Sequence, residues 1–316
     1  MNVMQEPVVC ILLAAYNGEK FIEQQIDSIL AQDYPNARII LSDDDSKDNT
    51  LEILKKYERD YPNRIVHYQS GRHFGSAHKH FLHLLTVFHN DPYIMFSDQD
   101  DVWHTDKVRK TLARMKELEA DRQTPAMVHA DLRVVDRQLN EIAPSFCKYS
   151  SINGNRTKLN QLLVQNVVTG CTVMMNRPLA ELACTAMPEE GIVMHDWWIA
   201  ILTAASGTIA FLDETLIDYR QHGSNSVGAK KVNSVRYLWS RLFSEKKMRD
   251  GLTVAAKQAE LILNCYGPWL SEDAASLIKI YASIADKGII ARDIIFLRHK
   301  LLKDGFIRIV PQLLGL

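Results

Sequence analysis

From Val8 onward, short apolar runs alternate with segments whose apolar residues return every three or four positions. That alternation restricts the chain to a sheet of largely parallel strands joined by helices. Val8 to Ala15 reads as a buried strand, and Phe21, Ile22, Ile26, Ile29 and Leu30 fall on one helical face behind it. Arg38 to Ser42 reads as a second strand. Asp48, Asn49 and Thr50 are good cap residues ahead of Leu51, Leu54, Tyr57 and Tyr61 at helical spacing. Ile65 to Tyr68 predicts a third strand, Gly75 to about Phe88 a helix, and a further strand ends at Ser97. Thr105 caps a helix in which Val108, Leu112 and Met115 share a face, and Met127 to Val135 predicts another strand. The expected class is α/β, a mostly parallel sheet covered by helices.

Beyond Val135 the pattern loosens. The polar stretch from Lys148 to Asn160 predicts a mobile loop or lid, and after about Gly228 the chain turns basic and helical. Val227 to Leu316 holds 15 Lys and Arg against 8 Asp and Glu, a net +7 within a chain whose total is -1. The near-neutral total gives no general pull towards nucleic acid or acidic lipid, but it hides this asymmetry. Five cysteines, an odd number without a CxxC pair, argue against a disulfide framework and a zinc knuckle and fit a reducing cytoplasm. No basic-then-apolar leader opens the chain, and no apolar run reaches the roughly 18–20 residues of a membrane-spanning helix. The expectation is a cytoplasmic protein.

Chemistry concentrates where strands end, because the ligand crevice of an open parallel sheet lies outside the carboxyl ends of its strands. Tyr16, Asn17 and Gly18 follow the first strand; LSDDDSKDNT places Asp43, Asp44 and Asp45 after the second; FSDQDDVW places Asp98, Asp100 and Asp101 after a later one. Neither GxGxxG nor GxxxxGK[ST] occurs at these points, so the common glycine-rich phosphate cradles are excluded. Phosphate can still be held through Mg²⁺ or Mn²⁺, which takes carboxylate and phosphate oxygens together. One acidic strand end alone is more often a solvated turn. Two at two strand ends favour an ion.

Further candidates stay open at this level. Asp196 in MHDWW is either a helix N-cap ahead of Trp197, Trp198, Ile199 and Ile201 or a carboxylate base. Trp197 and Trp198 are suited to stacking on a sugar or to filling core, one of each being the expectation. His78 and His80 lack the partners of a zinc site. Cys171 has no base beside it in sequence and is no nucleophile candidate.

Taken in order, AAYNG, LSDDDSKDNT, FSDQDDVW, NVVTGC, MHDWW and YRQHGSNS resemble the family-2 glycosyltransferases of GT-A fold, especially their rhamnosyltransferase-like bacterial members, over roughly residues 7 to 228. The resemblance implies a Rossmann-like GT-A catalytic domain over 1–228, with a nucleotide-sugar half to about 130 and an acceptor half from about 131. Residues 229–316 then form a basic helical C-terminal region. Ala14 and Tyr16 would line the nucleotide pocket, Asp44 would accept from the pyrimidine, and Asp43 would support the turn. Asp45 departs from the family, standing where a small residue is usual. Asp98 and Asp100 would form the DXD motif, Asp100 as metal ligand and Asp98 towards ribose, with Asp98 or Asp101 as alternative ligands. His222 would ligate the metal or meet the diphosphate, with Arg220 as the competing phosphate contact. Gly170 and Cys171 would approach the donor sugar, and Arg72 or Lys79 the nucleotide. Asp196 would be the base, and Trp197 and Trp198 would meet the acceptor.

The implied activity is inverting, metal-dependent transfer of a sugar, L-rhamnose from dTDP-β-L-rhamnose, to a glycan or lipid-linked saccharide in cell-surface polysaccharide synthesis. Another UDP- or dTDP-hexose donor, a non-catalytic sugar-nucleotide-binding subunit and a metal phosphohydrolase are the alternatives. The basic C-terminal region would either lie on the inner membrane leaflet or pack against the catalytic domain or a second subunit.

Overall fold

A computed structural model describes residues 6–119, 123–222 and 245–314. The expected boundary near residue 228 and the Gly223–Ser226 part of YRQHGSNS lie outside the described residues. Strand β1 (Val9–Ala15) is followed by α1 (Ile22–Leu30), β2 (Ala37–Asp43), α2 (Thr50–Asp60), β3 (Ile65–Tyr68), α3 (Ala77–Phe88) and β4 (Tyr93–Ser97). These strands pair in parallel in the order β3-β2-β1-β4. β1 explains why its sequence is apolar without a break. Cys10, Leu12 and Ala14 enter the core on one face, while Val9, Ile11, Leu13 and Ala15 enter the core on the other. Side chains alternate across a strand, so a sheet covered on both faces needs apolar residues at every position.

Then come β5 (Val102–Trp103), α4 (Lys107–Leu118), β6 (Ala126–Val135), β7 (Glu141–Ala143), α5 (Phe146–Tyr149), α6 (Leu159–Leu162), β8 (Met174–Asn176), α7 (Arg177–Thr185), α8 (His195–Ser206) and β9 (Thr208–Arg220). The sheet continues β4-β8-β6-β9-β5, with β7 on β6. Here it departs from the expected parallel pattern: β8 runs antiparallel to β4 and β6, while β6 and β9 are parallel. The reason is the excursion from 136 to 173, which delivers the chain to the end of the sheet where β4 finishes. β8 therefore has to run back.

Two helix starts differ from the sequence reading. Gly75 takes φ +69, a left-handed conformation that cannot open a helix, so α3 begins at Ala77 behind an extended Ser76. α4 begins at Lys107, with Asp106 rather than Thr105 at the cap position.

The C-terminal residues form α9 (Glu245–Tyr266), α10 (Glu272–Ala282), α11 (Ile289–Arg298) and α12 (Phe306–Leu314). Among the described residues no helix is long and apolar enough to cross a membrane. Ala259, Ile262 and Tyr266 of α9, Ile278 and Tyr281 of α10 and Phe296 of α11 share one core with Trp198 and Ile199 of α8. The Tyr266 hydroxyl donates to the Ala183 carbonyl at 2.6 Å, and its ring meets Trp198 edge-on at 5.9 Å. Packing on the catalytic domain is thus one role of this region.

The polar stretch expected as a lid is strapped down by the same helices. Arg308 donates to the carbonyls of Ser150 and Ser151, Asn153 N–H to Asp304, and Asn160 to the Lys300 carbonyl.

One ionic joint ties the second half of the sheet together. Buried Asp218 on β9 accepts two bonds from Arg133 of β6, at 2.6 and 2.7 Å, and pairs with His104 at 2.9 Å. Burial opposes its ionisation, but His104 and Arg133 prevail and hold the carboxyl at about 2. Asp218→Asn should cost about 1.5–3 kcal/mol at neutral pH, measured by urea unfolding. Because the folded-state value is depressed, that contribution is complete above about pH 4 and is lost as pH falls towards 2, where wild type and variant should converge.

Candidate active site

FSDQDDVW leaves the end of β4 as irregular backbone and drops its three aspartates into different surroundings. Asp101 is fully buried, one oxygen accepting the Arg220 backbone N–H at 3.2 Å and the other without a hydrogen-bond partner. Asp100 pairs with His222 Nε2 at 2.6 Å. Asp98 remains partly open. Burial, followed by the like charge of Asp100 and Asp196, pushes Asp98 well above the usual carboxylate range. Burial and its two neighbours do the same to Asp101.

Ligand-type atoms of Asp98, Asp101 and Cys171 lie within 4.8 Å of one another. A partnerless buried carboxylate oxygen in this company, beside the Asp100–His222 pair, fits a divalent cation, and the oxygen-rich donor set suits Mg²⁺ or Mn²⁺.

Arg220 is 2% exposed and is not placed to meet a phosphate. Its guanidinium donates to the carbonyls of Asp100 and Arg137 and to Gln24, and lies 4.7 Å over the Phe21 ring, which itself packs on His222. The residue therefore builds the wall behind Asp100. The Cys171 side chain is likewise buried, its thiol pushed up by burial and by Asp101, so any approach to a donor at this point falls to its backbone.

Of the residues expected to line a nucleotide pocket, Tyr16 is 48% exposed and Ala14 is 9% exposed. Gln99, between Asp98 and Asp100, accepts from Tyr16 N–H at 2.7 Å and donates to the Tyr16 carbonyl at 2.9 Å, locking the end of β1 to the end of β4. Asp43 accepts from Ser46 N–H and hydroxyl, the turn-supporting role expected of it. Asp45 has φ +64, a left-handed conformation that Asp tolerates, which explains how it replaces a small residue. Asp44 is buried and accepts from the backbone N–H of Phe74 and Gly75, so its carboxylate anchors the loop before α3. Arg72 in that loop bonds His83 and lies 5.4 Å over Phe74, and Lys79 pairs with Glu190. His80 is buried against Ser42, with burial lowering it to about 4.

Asp196 stands in the first turn of α8, where Met194 is the cap residue, so the N-cap reading does not hold. The carboxylate accepts from Trp197 N–H at 2.6 Å, Asn166 Nδ2 at 3.2 Å and Gly170 N–H at 3.1 Å. Burial raises it to about 6 against these three donors. Its charge is felt at Asp98, so the carboxylate of α8 and those at the end of β4 lie near enough to interact.

Gly170 owes its identity to this corner: a Cβ there would lie 2.5 Å from His195 Nε2. The buried His195 ring packs against both Phe81 and Phe96, which limits its room to move aside. Trp198 is wholly buried, which removes it from acceptor contact, whereas Trp197 is partly exposed and donates to the Leu162 carbonyl at 2.7 Å.

Three residues here escaped the sequence reading. Gln99 and Asn166 are single amides without a periodic signal. Lys107, the first residue of α4, lies one turn from buried Thr111 and is itself buried, its Nζ 3.7 Å from the Trp103 ring centroid. Burial lowers it to about 7 although Cys171 and Asp101 pull the other way. Its helical spacing from Thr111 was the only available hint.

The chain is similar to the dTDP-rhamnosyl transferase RfbG of Shigella flexneri, 29% identical over 246 residues that cover 72% of this chain and 81% of that protein. Its fold matches the crystal structure of S. aureus TarS 1-349 with a TM-score of 0.57 at 16% identity, over 88% of this chain and 71% of that one. It also matches the mannosyltransferase PcManGT from Pyrobaculum calidifontis, solved with GDP-Man and Mn²⁺, at TM-score 0.54 and 16% identity, over 94% and 81% of the two chains. At such identities the likeness concerns the fold alone, which is that of the GT-A glycosyltransferases. The model of the family named Glycosyl transferase family 2 matches residues 10–182, more than half of the 316 residues, and the chain belongs to that family.

Proposed function

We propose that this protein is an inverting, metal-dependent transferase that moves L-rhamnose from dTDP-β-L-rhamnose to a saccharide or lipid-linked glycan acceptor during cell-surface polysaccharide synthesis at the cytoplasmic face of the membrane. The observation that carries the chemistry is the division of carboxylates within one crevice: Asp98, Asp100 and Asp101 at the end of β4, and Asp196 held apart on α8. Similarity to a dTDP-rhamnosyl transferase supports the choice of sugar.

Asp100 and His222, with Asp98 or Asp101, would hold Mg²⁺ or Mn²⁺. The ion, when bound, supplies positive charge to the leaving diphosphate. Tyr16 would border the nucleotide, its backbone fixed by Gln99. The acceptor hydroxyl oxygen bonds to the anomeric carbon as the bond from that carbon to the diphosphate oxygen breaks. Asp196 takes the hydroxyl proton, and the nucleoside diphosphate departs with the electron pair. Attack opposite the leaving group inverts the anomeric centre. Burial makes Asp196 a stronger base than a solvated carboxylate, while Asn166 and Gly170 N–H fix its orientation.

Asp196→Asn should keep donor affinity within a few-fold by calorimetry yet lower turnover about 10²–10⁴-fold. Wild-type turnover in that variant would remove the base assignment. With dTDP-rhamnose and a synthetic glycoside acceptor, a chelator should abolish transfer and added Mg²⁺ or Mn²⁺ should restore it. Turnover of a UDP-hexose alone would overturn rhamnose as the donor. Binding without any product would point to a non-catalytic subunit.

The pH profile tests the geometry separately. Asp196 must be ionised, so kcat/KM should fall as pH drops through about 6. Asn166 donates to the charged form. Asn166→Ala should therefore move this acid limb to higher pH, whereas an unmoved limb would limit Asn166 to a packing role.

A further inference from the structure

We infer that the outer face of α11 and the start of α12 docks on an anionic lipid surface. Ile290, Ile294 and Leu297 stand at i, i+4 and i+7 of α11, one above another on a single face, and are 79%, 60% and 57% exposed. Phe306, which opens α12, is 79% exposed. The opposite side of α11 attaches the helix to the protein through buried Arg292 and Phe296. A run of large apolar side chains this exposed is not explained by the core, which is already closed beneath it.

The charge around the stripe indicates what covers it. Lys287 before α11, Arg298 at its end and Lys300 just beyond are all exposed. The acids close by are largely engaged: Asp293 lies 3.6 Å from Arg292, and Asp304 accepts from Asn153 N–H and faces Arg156. Asp286 is the one exposed acid in the 286–308 segment. Apolar side chains flanked by basic ones with extended stems are suited to the boundary between acyl chains and anionic headgroups. Each Lys or Arg near such a surface improves partitioning about five-fold.

The loop between α11 and α12 is joined to the Asp196 corner through Gln165 and Asn166. Asp304 N–H donates to Gln165, and the next residue, Asn166, donates to the Asp196 carboxylate. The same segment is held by Asn160 to Lys300 and by Arg156 to the Leu302 carbonyl. Lipid contact at α11 would therefore bring the acceptor side of the crevice to the membrane. The inference deepens the proposed function and rests on it for its purpose, since a lipid-linked acceptor would be presented there.

The test is cosedimentation of the full chain with phosphatidylcholine vesicles, with and without phosphatidylglycerol, at low and high salt. Wild type should bind the anionic vesicles, lose most of that binding at high salt, and bind neutral vesicles at least ten-fold more weakly. The variant Ile290→Ser/Ile294→Ser/Leu297→Ser should bind anionic vesicles at least ten-fold more weakly while keeping wild-type circular dichroism, Tm and turnover on a soluble glycoside. Lys287→Gln/Arg298→Gln/Lys300→Gln should lose the salt-sensitive part. Equal binding by wild type and the Ser variant overturns the inference, as does absence of wild-type binding. A wild-type dimer that the Ser variant converts to monomer, without vesicle binding, reassigns the face to a second copy. Neither donor nor acceptor enters the vesicle assay, so its result stands apart from the outcome of the transfer assays.

Discussion

Everything at this site follows from the cost of gathering like charge in a poorly solvated place. Three carboxylates sit within four residues at the end of β4, and the protein opposes their repulsion from behind. The Arg220 backbone N–H meets Asp101, the Arg220 guanidinium braces the Asp100 carbonyl, His222 meets the Asp100 carboxylate, and Lys107 lies buried near Asp101. None of these fully satisfies the cluster, since one Asp101 oxygen keeps no hydrogen-bond partner and Asp98 still resists ionisation. The remaining deficit is local, directional and positive in the charge it calls for. In the proposed reaction a divalent cation on the leaving diphosphate would answer it.

The same residue type does different work at Asp44, Asp98, Asp196 and Asp218 because each environment is different. Backbone N–H groups occupy Asp44, which makes it an anchor for a loop. Arg133 and His104 saturate Asp218, which makes it a joint in the sheet. Asp196 has three donors of modest strength and is buried enough to hold a proton weakly near neutrality. A carboxylate so poised exchanges its proton readily, and one as firmly paired as Asp218 does not.

Much of the fold was legible because burial writes periodicity into sequence. β1, β2, β3 and β6 announced themselves as apolar runs, and the helices between them as stripes. β8 was not legible: three residues behind a tight turn carry no period, and their antiparallel sense depends on where a long excursion ends. At the site, acidic residues after strands could be read as a group, whereas isolated amides could not. Asn166 and Gln99 matter for what lies across from them, 30 and 83 residues away in sequence. Gly170 drew notice for a backbone approach to substrate, but its missing side chain is occupied by the His195 ring. The two tryptophans of HDWW were indistinguishable until the direction of α8 turned one inward and left the other near Leu162.

The shared core of α8, α9 and α10 bears on how the molecule comes apart. The change in composition near residue 228 separates an acidic stretch of chain from a basic one, yet Trp198, two residues from the proposed base, packs directly on Tyr266. Segments that share a buried tryptophan and tyrosine lose their contacts together. The C-terminal helices and α8, which carries Asp196, are therefore packed as one body, and loosening of the Trp198–Tyr266 contact would be felt two residues from Asp196.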